Sequence, residues 1–305
     1  MTLDYFPPPK SPNTMFLVTG VNGLIASHVA DQLLAAGYRV RGTVRDISRC
    51  QWLADHFESR YGYNRFGLVQ LNDFGAEGAW EVTLQGVSGS RQSRALPTSR
   101  WRTSIAPSHQ SSNGSTLFVG SQKTSSVKSF SFTSSAWAAY TPNPNVTRVL
   151  TENTWNEEAV ARAADPRLSA EEKGLAPFMA QGSTSGMLLR LFEGKDYEII
   201  LKILPQWFVD SRDAGRLHLA ALTDPSVDRQ RLFACAERYS WPQILSLMRT
   251  LYPERQFVEL EDQGWDQTTV PNAKAEELLR RLGRSSWVSL QDSVRENIEC
   301  YYHPS

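Results

Sequence analysis

Two glycines at the end of a short apolar run, Gly20 and Gly23 in Met15-Phe-Leu-Val-Thr-Gly-Val-Asn-Gly-Leu-Ile-Ala26, have the spacing to hold a phosphate. Gly20 can take the backbone conformation of a tight turn, and Gly23 lacks the side chain that would keep a pyrophosphate off the backbone N–H groups. Ala26 is small enough for the following helix to lie close to the strand. An ordinary glycine turn would look the same in isolation, so the elements on either side must decide between the two readings. Further on, Arg45 stands where an adenosine ribose would sit. An acidic residue there would bind both ribose hydroxyls, whereas an arginine suits a 2′-phosphate, so NADP(H) is expected over NAD(H).

These residues need a strand, a helix and a second strand to bring them together. Leu24, Ile25, Val29, Leu33 and Leu34 recur at helical spacing, and Gly37 follows where a C-cap glycine belongs. Tyr38-Arg-Val-Arg-Gly-Thr-Val-Arg45 then alternates as a strand does. A strand, helix and strand unit lays its second strand parallel to the first, which brings Arg45 beside the glycines. Asp46 reads as the cap of a helix starting near Ser48. Arg49 is either a second phosphate contact or a solvated helix residue.

Thr19-Gly-Val-Asn-Gly-Leu-Ile-Ala-Ser-His28 and Gly42-Thr-Val-Arg-Asp46 resemble the extended short-chain dehydrogenase/reductases of the NAD(P)-dependent epimerase/dehydratase superfamily. The similarity is greatest to the dihydroflavonol-reductase-like and fungal aldehyde or ketone reductase branch. It continues through Leu71-Asn-Asp-Phe74, Ser126-Val-Lys-Ser-Phe-Ser-Phe-Thr-Ser-Ser-Ala136 and Thr151-Glu-Asn-Thr-Trp-Asn156. It then covers nearly everything from Ser183 onward, including Phe208-Val-Asp-Ser-Arg-Asp213 and Val270-Pro-Asn-Ala-Lys-Ala-Glu-Glu277. The resemblance implies an α/β fold: a Rossmann-type doubly wound parallel sheet, here incomplete, with a smaller C-terminal lobe for substrate. It implies an NADP-binding domain over residues 1–182 and a substrate lobe over 183–305. Thr19, Gly20, Asn22, Gly23, Leu24 and Ile25 would line the cofactor phosphates, and Asp73 and Phe74 would face the adenine. Ser135, expected at the C-terminal end of a strand, would by this resemblance hydrogen-bond a substrate carbonyl, while the residue alone reads equally as a serine that satisfies the strand-end backbone. The implied reaction is NADPH-dependent reduction of a ketone or aldehyde on a small organic molecule of fungal secondary metabolism.

The sequence departs from the family at two places. Family members carry Tyr-x-x-x-Lys after the serine, the tyrosine protonating the nascent alkoxide and the lysine lowering its pKa. No tyrosine of this chain has lysine four residues on; Glu171-Glu-Lys-Gly174 runs through Leu-Ala-Pro-Phe-Met-Ala-Gln-Gly182 straight into Ser183-Thr-Ser-Gly186. The family's crossover helix and a central strand would be missing with that segment. Tyr140 is a poor substitute, because it precedes Pro142 and Pro144 on a turn and an unactivated phenol has a pKa of about 10. The second departure lies at residues 90–125, where Ser90-Arg-Gln-Ser-Arg-Ala-Leu-Pro-Thr-Ser-Arg-Trp-Arg-Thr103 opens a serine- and arginine-rich stretch with no strand or helix period. It is expected to stay out of the core. Compensating reading-frame shifts would replace text and keep length in this way. The competing expectation is therefore a catalytically defective remnant, or a mis-spliced product, that at most binds nucleotide or a partner.

Composition fits an ordinary cytoplasmic protein. The 305 residues carry 32 basic and 32 acidic side chains, a balance that argues against nucleic acid or anionic membrane as an obligatory partner. No apolar run reaches membrane length. Cys50, Cys235 and Cys300 show neither disulfide nor metal spacing, and His28, His56, His109, His218 and His303 form no ligand cluster, so no metal is expected. In the second half, helices are expected over 185–192, 213–222, 241–251, 273–282 and 289–301, with short strands at 207–210 and 231–236. Trp207, Phe208 and Trp241 could line a substrate pocket, but core packing is the stronger explanation for each.

Overall fold

The computed structural model describes residues 14–73, 76, 79–87, 127–167, 184–200 and 202–302. Phe74, the stretch 90–125 and the run following Lys173 lie outside the described residues, and with them the expectations placed there.

Three parallel strands carry the N-terminal part: β1 (Met15–Val18), β2 (Arg39–Val44) and β3 (Phe66–Gln70). Their order is β1-β2-β3, with Phe16 opposite Val40 and Val40 opposite Phe66. Helix α1 (Leu24–Ala35) connects β1 to β2 and ends before Gly37, whose φ of 86° is the left-handed geometry of a helix stop. Helix α2 (Gln51–Tyr61) connects β2 to β3 after a 3₁₀ turn at Ser48–Cys50. Asp46 starts that turn as expected, its Oδ1 accepting from the Ser48 N–H at 2.9 Å and the Ser48 hydroxyl at 2.6 Å. The apolar faces of these elements close around Leu33, Val21, Ala30 and Phe57. A short helix α3 (Ala79–Thr83) adds Trp80 and Leu84 to a second cluster with Leu71 and Val87. Arg41 fastens that corner, donating to the carbonyls of Thr83 at 2.8 Å and Gln85 at 2.7 Å.

Further along are α4 (Glu157–Ala164), α5 (Thr184–Phe192), α6 (Tyr197–Ile200), α7 (Ser211–Thr223), α8 (Trp241–Leu251), α9 (Ala273–Arg281) and α10 (Leu290–Tyr302). The strands there are short: β4 (Arg148–Val149) pairs parallel with β7 (Thr268–Thr269), and β5 (Gln206–Phe208) pairs antiparallel with β6 (Glu237–Tyr239). Leu191, Ile200, Trp241, Leu245, Met248, Val294 and Ile298 make one core between α5, α8 and α10. Trp241 is fully buried in it, so packing accounts for that residue. Ser240 caps α8 with its hydroxyl on the Gln243 N–H, and Pro242 occupies the first turn, where its missing donor costs nothing.

Two of the expected elements lie elsewhere. Residues 231–236 form no strand; Phe233 and Cys235 alternate inward as strand residues do, but the ladder belongs to the next three residues, β6. The apolar alternation there marks burial rather than pairing. Likewise residues 127–135 carry no assigned strand, and Ser135 instead begins a 3₁₀ turn at Ala136–Ala138.

The chain forms two compact units that interleave along the sequence. One comprises Met1–Thr133, Ser211–Arg231 and Lys274–Ser286; the other comprises Ser134–Asp210, Leu232–Ala273 and Trp287–Ser305. A single division at residue 182 does not describe them, because α7 and most of α9 belong with the N-terminal sheet. Gly215 shows why α7 belongs there: a Cβ at this position would sit 2.8 Å from the His28 carbonyl oxygen, so the two helix backbones approach more closely than any side chain would permit.

Candidate active site

In the first unit, the loop after β1 is built by β2. Thr43, fully buried, accepts the Gly20 N–H on its hydroxyl at 3.0 Å and the Val21 N–H on its carbonyl at 3.0 Å. Gly42 leaves room for this contact, since a Cβ there would fall 2.4 Å from Val21 Cγ1. Gly20 has φ of 59°, which reverses the chain, and its carbonyl accepts the Gly23 N–H at 2.9 Å. Gly23 is then the N-cap of α1 and supplies no side-chain acceptor. The first-turn N–H groups at Leu24, Ile25 and Ala26 have no intrahelical partner by geometry and gather the positive end of the helix dipole.

Asn22, Gly23, Leu24 and Ile25 are exposed and Thr19 is half-buried. A Cβ on Gly23 would fill part of the cradle, 3.2 Å from the Gly20 oxygen. An uncapped helix start, a glycine floor and two exposed apolar side chains match the pyrophosphate and adjoining ribose of a dinucleotide. Arg45 follows β2, exposed and with no acceptor among the described residues, and Asp73 is exposed beyond β3. Thr43 was not apparent in the sequence, where it is only one residue of an alternating strand.

His218 was also missed. Its ring, on α7, bridges the Ser131 hydroxyl at 2.9 Å through Nδ1 and the Thr133 hydroxyl at 2.8 Å through Nε2. Alternate residues of an extended chain face the same way, so one imidazole can hold both. Burial favours the neutral ring and pulls its pKa down to about 4.

In the second unit, Ser135 is exposed and its Oγ accepts the Trp137 N–H at 3.2 Å. Tyr140, close behind it in sequence, is buried, and its hydroxyl donates to Asp266 Oδ2 at 2.5 Å. Burial first, and the hydrogen bond to Asp266 second, push the phenol well above its ordinary pKa. A proton held between two buried oxygens is not available to a substrate, so Tyr140 is no substitute for the absent tyrosine. Cys235 lies near the same carboxylate, and burial followed by the Asp266 charge drives its thiol up to about 12. Trp207 donates its Nε1–H to the Thr268 carbonyl at 3.1 Å, with the Arg238 guanidinium 5.1 Å from its ring centroid. Phe208 packs at the margin of the Trp241 core. Among the described residues no group of His, Cys, Asp or Glu could hold a metal, and no helix is long and apolar enough to cross a membrane.

The sequence profile of the NAD dependent epimerase/dehydratase family matches residues 16–95. Aldehyde reductase 2 of Sporidiobolus salmonicolor is 31% identical, with 93% of this chain and 94% of that protein aligned. Ketoreductase adrE of Penicillium rubens is 30% identical over 94% of this chain and 96% of its own length. Among solved structures, Gre2 of Candida albicans in complex with NADPH superposes with a TM-score of 0.64 at 18% identity, covering 95% of this chain and 99% of its own. Yeast methylglyoxal/isovaleraldehyde reductase Gre2 complexed with NADPH gives 0.64 at 18%, covering 93% and 96%. These likenesses show the Rossmann-type α/β fold expected from the sequence. With a profile over the nucleotide cradle and relatives aligned along nearly the whole length, the chain belongs to the NAD(P)-dependent epimerase/dehydratase family.

Proposed function

We propose that this chain binds NADP(H) at the loop from Thr19 to Ile25, and that the chemistry of its fold is reduction of a ketone or aldehyde on a small organic molecule. The observation that carries this reading is the cradle itself: an uncapped α1, a glycine floor at Gly23 and a turn pinned to Thr43. Arg45 would receive the 2′-phosphate, and Asp73 with Phe74 would meet the adenine. When bound, the cofactor supplies hydride. The protein's part is to hold the carbonyl, through the Ser135 hydroxyl, and to deliver a proton to the developing alkoxide. Similarity to fungal aldehyde reductases and ketoreductases supports a small carbonyl compound of secondary metabolism as substrate, met in the cytoplasm.

A specific observation favours a second reading of the same site, a nucleotide-binding chain without appreciable turnover. No Tyr-x-x-x-Lys occurs in the sequence, and the one tyrosine close after Ser135 has its proton engaged by Asp266. Titration of NADPH and NADH, followed by NADPH oxidation against a panel of aldehydes and ketones, separates the readings. NADPH should bind more tightly than NADH, and oxidation should stay near background. Robust oxidation abolished by Tyr140→Phe would make Tyr140 the acid, and equal affinity for the two cofactors would remove the NADP(H) assignment.

A further inference from the structure

The turn that bears Ser135 is held by one amide side chain. Asn156 is buried, and its backbone N–H donates to the Ala138 carbonyl at 2.9 Å. Its Nδ2 donates to the Trp137 carbonyl at 2.9 Å and to the Thr141 hydroxyl at 3.0 Å. Its Oδ1 accepts the Ala159 N–H at 3.1 Å and so caps α4. The two ends of the amide cannot be exchanged: a flipped group would set Oδ1 against the Trp137 carbonyl and leave the Ala159 N–H facing a donor.

We propose that Asn156 is the positioning residue for Ser135, a role that rests on reading Ser135 as the serine that binds the substrate carbonyl. By gripping the Trp137 carbonyl, Asn156 fixes the Trp137–Ala138 peptide, whose N–H donates to the Ser135 carbonyl at 3.0 Å, and this holds Trp137 where its own N–H reaches Ser135 Oγ. That N–H occupies one lone pair of the oxygen. The Ser135 proton must then point away from the turn, to the side from which an acceptor oxygen can approach, and the exposure of Ser135 leaves that side open. Tyr140 and Asp266 anchor the far end of the turn, and Trp137 Nε1 donates to Gln206 Oε1 at 2.8 Å. Asn156 is the side chain that holds the Trp137–Ala138 peptide, which closes the turn back onto Ser135.

The experiment reads the turn through a thiol, so it does not depend on turnover. Ser135→Cys is made in the full chain with the exposed Cys300→Ser; Cys50 and Cys235 are buried. A donor aimed at the sulfur favours the thiolate, so the introduced thiol should titrate below an ordinary cysteine in its rate of alkylation by iodoacetamide. Adding Asn156→Ser keeps an acceptor for the Ala159 N–H but removes both Nδ2 donations. The thiol should then titrate higher, with alkylation at neutral pH slowed about threefold or more, while unfolding stays cooperative at a melting temperature lowered by the lost hydrogen bonds. Should that variant fold poorly, Asn156→Asp retains the cap and is expected to shift the titration in the same direction. An introduced thiol that titrates as an ordinary cysteine, or a titration unmoved by loss of the amide in a folded protein, overturns the proposal. NADPH titration of the same proteins reports on the cofactor assignment separately.

Discussion

At the scale of single residues, the roles proposed for the glycines and Arg45 could be read from the chain, because phosphate binding would depend on backbone and charge at fixed points along it. Replacing Arg45 by alanine should weaken NADPH about tenfold and leave NADH unchanged, the loss expected of a charge-assisted hydrogen bond to phosphate. Fluorescence titration with both cofactors checks this. The residues that hold the site, Thr43, Asn156, Asp266 and His218, were not legible, because each acts on a partner distant in sequence and has an unremarkable neighbourhood of its own. His218 makes a pH prediction. Burial lowers its folded pKa to about 4, below the ordinary value of 6.5, so the unfolded chain binds the proton first as pH falls. The stability this neutral ring contributes is full above the ordinary pKa and is lost as pH falls toward the folded one. Between pH 7 and 5 the native chain should lose about 2 kcal/mol on this account. His218→Gln should flatten that slope in urea unfolding, and an equal loss in both proteins would refute the assignment.

At the scale of elements, α1, α8, α9 and α10 follow the helical patterns in the sequence and α2 follows the cap at Asp46, since local pattern and capping act within a few residues. The two misplaced strands share a cause: alternation reports which side chains face inward, whereas a strand also needs a neighbour, and pairing is settled by distant chain. Phe233 and Cys235 face inward without a ladder, and Ser131 and Thr133 alternate toward His218. Glycines separate in the same way. Gly215→Ala would thrust a methyl group against the His28 backbone and should cost about 1–3 kcal/mol as α1 and α7 are forced apart. Gly186→Ala, on α5 with nothing within 4 Å of the added carbon, should stabilise by roughly 0.5–1 kcal/mol. Thermal melts of the two variants, moving in opposite directions, would confirm that close approach rather than helix propensity governs Gly215.

At the scale of the whole molecule, the proposed cofactor cradle and the serine turn are both formed, and the expected deficit is the proton donor. General acid help is typically worth about a hundred- to ten-thousandfold in rate. Inserting the family's Tyr-x-x-x-Lys segment after Lys173 should therefore raise carbonyl reduction by a factor of that order, and Ser135→Ala should abolish activity in the restored version alone. An unchanged rate in the restored, folded chain would argue that something other than the acid is lacking. The interleaving of the two units also bears on how the chain is made. During synthesis the β1-β2-β3 sheet and α1 leave the ribosome long before Ser211–Arg231, and Lys274–Ser286 comes later still. Until α7 arrives, the groove where Gly215 meets His28 stands open to water. A nascent chain halted before residue 211 therefore presents apolar surface to chaperones and proteases, so neither unit can be completed by translating its first stretch alone, and no single cut would release either one intact.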